Sequence, residues 1–192
     1  METLRKGVNL ERASLEGANL EGVFFQEVHA PWTRFFGACL KGASFAKADL
    51  TEAIFIEANL VGANLEKTCL TEADFTRADL TRADIRDAYA LGANFTDACL
   101  KMANFAQANL SETNLTRADF TGANLAEANL NGANLAGANL ERANLTRAIL
   151  TGANLAGAKL SKVNLTRANL EGANLDRVDL TDAILAGDFE TA

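Results

Sequence analysis

Histidine occurs once in this chain of 192 residues, and so do proline, tryptophan and tyrosine. A single histidine excludes a His-rich metal site, and no Gly-rich phosphate loop, HExxH or GxSxG sequence occurs to supply other chemistry. No metal or other cofactor is therefore expected. The three cysteines, Cys39, Cys69 and Cys99, form no CxxC pair, and their odd number suits a reducing compartment. No apolar run reaches the length of a membrane-spanning helix, so no membrane span is expected. The opening METLRKGVNL lacks an apolar signal region, which points to the cytoplasm. Cations are not in excess: 18 Lys and Arg stand against 25 Asp and Glu, a formal charge of −7. That balance argues against a nucleic-acid-binding surface. Both halves of the chain are mildly acidic, and neither is a charged tail.

What is present is a period. From Leu10 to Leu185 nearly every fifth residue is a large apolar one, without a single slip of phase, which makes thirty-six pentapeptides. Ala usually stands two places before this centre, and Asn or Asp just before it, as in TGANLAEANLNGANLAGANL (121–140). A fixed short period means one structural unit stacked many times. Helical spacing fails, because the apolar residues do not recur at three-to-four intervals, and plain alternation fails too. A chain that turns a corner every five residues satisfies the pattern, with the centre and the small residue pointing inward.

Glycine and asparagine support the corners. All 14 glycines lie in one phase, two residues after a centre, where a tight turn needs positive φ. Every asparagine except Asn131 precedes a centre, where a short amide can hydrogen-bond the local backbone.

The runs ANLEGANL, ADLTRADI and ANLAGANL resemble the pentapeptide-repeat family, whose pattern is A(D/N)LXX. The resemblance covers about residues 8 to 187, which makes residues 1–192 one repeat domain. It implies an all-β, right-handed quadrilateral β-helix of four pentapeptides to a coil, hence about nine coils. At about 4.8 Å between stacked strands the rod would be ~40 Å long. Many members end in a C-terminal helix that mediates dimerisation, but AGDFETA is too short for a long capping helix.

A twenty-residue coil can be tested on the large side chains alone. Phe35, Phe55, Phe75 and Phe95 then stack on one inner wall, and Phe25, Phe45 and Phe105 share the opposite one. Such offset-stacked rings gain about 0.5–1.5 kcal/mol per pair beyond burial. Because each coil is stabilised by its neighbours, single coils should not fold alone. The exposed β edges at the two ends invite pairing with another chain, so end-to-end association of copies is one expected mode.

Function should be written in the departures from the rule. Two centres, Ala30 and Ala90, are small and fall in one column, with His29, Pro31, Trp32, Tyr89 and Leu91 beside them. Either the chain bulges at Ala30 and Trp32 turns inward to fill the space, or aromatic groups are presented outward to a partner. Arg34 and Ile54 share one outward column, and Phe36 and Ile56 another. The candidate protein-binding patch is therefore Trp32, Arg34, Phe36, Ile54, Ile56, Tyr89 and Leu91. The competing account makes Phe36 and Ile56 a mutual stability patch.

Catalysis is not expected. His29, Asp49 and Cys69 fall in one outward column, but Asp49 separates the other two by two strand spacings, about 9–10 Å, beyond hydrogen-bond reach. Two functions remain. The first is a non-catalytic scaffold or regulatory module that presents rigid faces to a protein partner. The second comes from the resemblance alone: some family members mimic DNA, act on type II topoisomerases such as gyrase, and confer quinolone resistance. Duplex DNA carries one charge per about 1.7 Å, so a rod of this length would have to match roughly 25 phosphates. A formal charge of −7 falls far short.

Overall fold

The computed structural model describes residues 8–186. Parallel bridges join every residue that precedes a centre to the residue twenty positions on, from Asn9↔His29 to Asn164↔Ile184, without an exception. The chain is a right-handed quadrilateral β-helix with twenty residues per coil. No helix occurs among the described residues, and none is long and apolar enough to cross a membrane. The expectations about the first seven and last six residues, including a short C-terminal cap, lie outside the described residues.

The repeat follows from where five backbone N–H groups go. In the Leu60 pentapeptide, Asn59 donates to Ala38 in the coil before (2.9 Å), and Leu60 to Asp79 in the coil after (2.7 Å). Gly62 donates to Thr81 (2.9 Å), and Ala63 closes the turn on the carbonyl of Leu60 (2.9 Å). One donor, the N–H of Val61, finds no backbone carbonyl; the Asn59 side chain accepts it at 3.1 Å. That completes the account and explains why Asn or Asp precedes the centre. Leucine in that place would leave one donor per corner to water.

The corner also requires positive φ at the second residue past the centre. It is positive at 12 glycines and equally at non-glycine residues such as Arg12 (56°), Lys47 (60°) and Glu127 (60°). None of these positions holds a β-branched side chain, which would be most crowded there.

Four faces enclose the core. They are numbered by their centres: face 1 (10, 30, 50 and onward), face 2 (15, 35, 55), face 3 (20, 40, 60) and face 4 (25, 45, 65). The expected aromatic ladder is present on face 2. Phe35, Phe55, Phe75 and Phe95 stack at 4.7, 4.7 and 4.8 Å between centroids, within 5° of parallel. Phe25 and Phe45 stack likewise on face 4 at 4.7 Å. Edge-to-face contacts across the axis, such as Phe45 to Phe55 at 5.9 Å, tie the two ladders together. At three small positions Thr replaces Ala and is buried; Thr33, Thr68 and Thr113 each donate the hydroxyl to a backbone carbonyl at 2.6–3.0 Å. A buried hydroxyl is tolerated because it is paired.

The alternatives at Ala30 are decided against a bulge. Ala30 keeps its ladder bond to Asp49 (2.8 Å) and is fully buried, while Trp32 donates to Thr51 (2.9 Å) and points outward. Ladder bonds on both sides hold the backbone in register, so Trp32 cannot rotate inward. Ala90 is likewise buried in an unbroken ladder. All three cysteines are free thiols, half-buried at outward positions. At the far end, the leucine centres from Leu150 to Leu185 line an apolar cavity of about 310 Å³, and Leu175, Leu180 and Leu185 are exposed.

Candidate protein-interaction surface

The structure brings most of the predicted patch together. On face 2, Arg34 bridges directly to Ile54, and Phe36 lies one coil from Ile56, whose carbonyl accepts from Gly37 at 3.0 Å. Trp32 stands at the corner between faces 1 and 2, 39% exposed, and Phe36 is 43% exposed. The Arg12 guanidinium lies over the Trp32 ring, 4.9 Å from its centroid, a cation–π contact. Arg34 pairs with Glu16 at 2.5 Å, so its charge is not free. Tyr89 and Leu91 are separate: they lie on face 1, three coils beyond His29 and Pro31. Tyr89 is 48% exposed, and Leu91 is half-buried.

The His29, Asp49 and Cys69 column is arranged as its spacing dictates. His29 Nδ1 lies 3.0 Å from Asp49 Oδ2, and Thr51 donates its hydroxyl to Asp49 at 2.7 Å. Cys69 Sγ instead shares hydrogen bonds with the hydroxyls of Thr51 (3.3 Å) and Thr71 (3.6 Å). The thiol and the imidazole do not meet, so no activated nucleophile is assembled. No cluster capable of holding a metal ion occurs among the described residues.

Charge is distributed unevenly around the rod. Faces 2, 3 and 4 neutralise themselves with pairs along and across the coils. Examples are Arg77–Glu57 (2.7 Å), Arg117–Asp97 (2.6 Å), Lys101–Asp119 (3.2 Å) and Arg86–Asp84 (2.6 Å). Together these three faces carry sixteen carboxylates and fifteen cations among the described residues. Face 1 carries six carboxylates, Glu11, Asp49, Glu52, Glu72, Glu112 and Glu171, and one cation, Arg12. Sequence reasoning missed this asymmetry because charge was counted along the chain. Sorting the same residues at period twenty would have found it.

The paired carboxylates have a consequence for acid stability. Hydrogen bonds from Arg86, Arg117 and Gln107 hold Asp84, Asp97 and Glu127, respectively, below the ordinary carboxylate range. A carboxylate with a depressed folded pKa adds stability above its ordinary value, and loses it as pH falls through the folded value. The melting temperature should therefore be level from neutral pH down to about 5 and should fall below about pH 4. Thermal scans by circular dichroism from pH 7 to 2 check this. A melting temperature that holds or rises into acid would contradict it.

The family model described as pentapeptide repeats (8 copies) matches residues 6–29, 32–66, 58–101, 73–111, 91–126, 123–161 and 148–187. The chain is a pentapeptide-repeat protein. Among solved structures it is similar to HetL, a pentapeptide-repeat protein involved in heterocyst differentiation regulation in Nostoc sp. strain PCC 7120. The identity is 33%, covering 94% of this chain and 89% of HetL, with a TM-score of 0.51. Rfr23 of Cyanothece 51142 is 32% identical over 66% of this chain and 90% of its own, with a TM-score of 0.29. QnrB1, a plasmid-mediated fluoroquinolone resistance protein, is 17% identical over 95% of this chain and 92% of its own, with a TM-score of 0.43. No curated protein matches the chain. Within this pentapeptide-repeat rod the outward Trp32 and Phe36 depart from the polar residues that the repeat places around them.

Proposed function

We propose that the chain is a non-catalytic interaction module whose rigid side faces bind a protein partner and scaffold or regulate it. One observation carries the reading: Trp32, Phe36, Ile54 and Ile56 are gathered outward in adjacent coils of a rod whose folding needs no outward aromatic. Trp32 and Phe36 are exposed and Ile54 and Ile56 half-buried, and contiguous outward apolar surface of this kind marks recognition sites. The likeness to HetL, a protein involved in regulation, fits this reading. Three free thiols suit a reducing compartment, so we place the module in the cytoplasm. Action on a topoisomerase is less favoured, because the carboxylates of three faces are largely neutralised by paired cations.

The test replaces Phe36 and Ile56 together by Thr, the residue found at the same column position in Thr76, Thr96 and Thr116. Thermal stability should stay within about 1 kcal/mol of the parent, because both side chains stand outside the core. Capture of the partner from lysate of the source organism should be lost. If the double variant unfolds early, Phe36 and Ile56 are a stability patch. If it captures all that the parent does, the patch is not the recognition site.

A further inference from the structure

We propose that the partner presents a cationic surface with apolar side chains, and that it docks across the Trp32 corner onto face 1. This rests on the interaction reading above and specifies its chemistry. Among the described residues face 1 has the largest excess of carboxylates over cations, six against one. Glu52, Glu72 and Glu112 make no ion pair or side-chain hydrogen bond among the described residues, whereas elsewhere Glu57, Asp97 and Glu127 each face an arginine one coil away.

The position of these carboxylates ties them to the aromatic groups. Arg12, Trp32, Glu52, Glu72, Gly92 and Glu112 form one corner column, so two glutamates follow Trp32 at successive coil spacings. The Glu72 carboxylate lies over Gly92, where a Cβ would meet Oε1 at 2.8 Å; Gly92 therefore leaves it room beside Leu91. Tyr89 is exposed on the same face. The surface thus combines predominantly negative charge with Trp32, Tyr89 and Leu91 on face 1, and continues round the corner into Phe36 and Ile56.

Charge complementarity selects the occupant. An acidic partner would meet like charge, and a purely apolar one would bury unpaired carboxylates, both unfavourable. Lysine and arginine satisfy the carboxylates, and interleaved apolar residues meet Trp32 and Tyr89. Such attraction chiefly speeds association and weakens as salt rises.

Trp32 is the only tryptophan, so its emission reports on the corner directly. The probes are synthetic peptides of alternating Lys and Leu, Lys and Ser, and Glu and Leu. The Lys–Leu peptide should bind and shift Trp32 emission, and the other two should bind far less. The variant Glu52→Gln, Glu72→Gln, Glu112→Gln should weaken Lys–Leu binding about tenfold and flatten its salt dependence. Removing three carboxylates from the opposite face, by Glu21→Gln, Asp79→Asn and Glu141→Gln, should leave binding within about twofold. Equal weakening in both variants means bulk charge alone and overturns the proposal. So does an undiminished face 1 variant, equal binding of the Lys–Ser peptide, or no binding by the parent. If the Phe36 and Ile56 double variant loses its partner while the face 1 variant keeps it, the recognition patch stands and only this proposal fails.

Discussion

Phe75→Asp is expected to unfold the protein or reduce its stability by at least about 4 kcal/mol. Phe75 is fully buried, with the Phe55 and Phe95 rings stacked on its two sides at 4.7 and 4.8 Å. Removing a buried ring costs about 3–5 kcal/mol, and an unpaired carboxylate in its place adds its own desolvation. Total stability of a folded chain is about 5–15 kcal/mol, so little margin remains. Phe75→Leu serves as the comparison, because Leu115 and Leu135 continue the same column without disrupting the coils. It should lose only part of the ring contacts and stay folded. Urea denaturation followed by circular dichroism measures both. An aspartate variant with a parental midpoint would show that the stacked ladder contributes nothing to stability.

A proline scan within one pentapeptide should give the other large effect. Asn129→Pro removes the ladder donor that reaches Ala108 at 2.9 Å, and with it the side-chain acceptor for the N–H of Asn131. A proline inside a ladder of this kind costs about 3 kcal/mol or more. Asn131→Pro, two residues on, should cost less than about 1 kcal/mol, since that N–H bonds only a side chain. The chain already uses the second position: Pro31, its only proline, stands there in an unbroken coil. Melting temperatures of the two variants check the contrast. Equal losses would mean that the N–H after the centre does more than bond the Asn side chain.

The inner half of the molecule was legible in the sequence because burial is periodic. Leu60 and Phe75 occupy their places by phase alone, and the spacing of Phe35, Phe55, Phe75 and Phe95 carried the coil length. The placement of Asn was legible for the same reason, as one corner donor per pentapeptide must find a side chain. Glycine phase understated its own lesson. It marked a turn, but the structure shows that Arg12 and Glu127 adopt the same positive φ where no glycine stands. Closing each coil on its neighbour imposes that conformation whatever the residue.

At Ala30 the sequence left two outcomes open, since a missing volume can be filled by a bulge or left to the neighbours. Only the ladder bonds of Ala30 to Asp49 and Trp32 to Thr51 decide it, by holding the backbone so that Trp32 must point out. The unpaired carboxylates of Glu52, Glu72 and Glu112 depended on tertiary structure in the same way. Their number was visible along the chain, but whether a cation stands one coil away is a relation between residues twenty apart. Sequence by itself thus determined the period, the core and the coil, because those follow from which residues avoid water. Whether Trp32 points outward, and which outward charges find a partner, was decided by the stacking of one coil on the next.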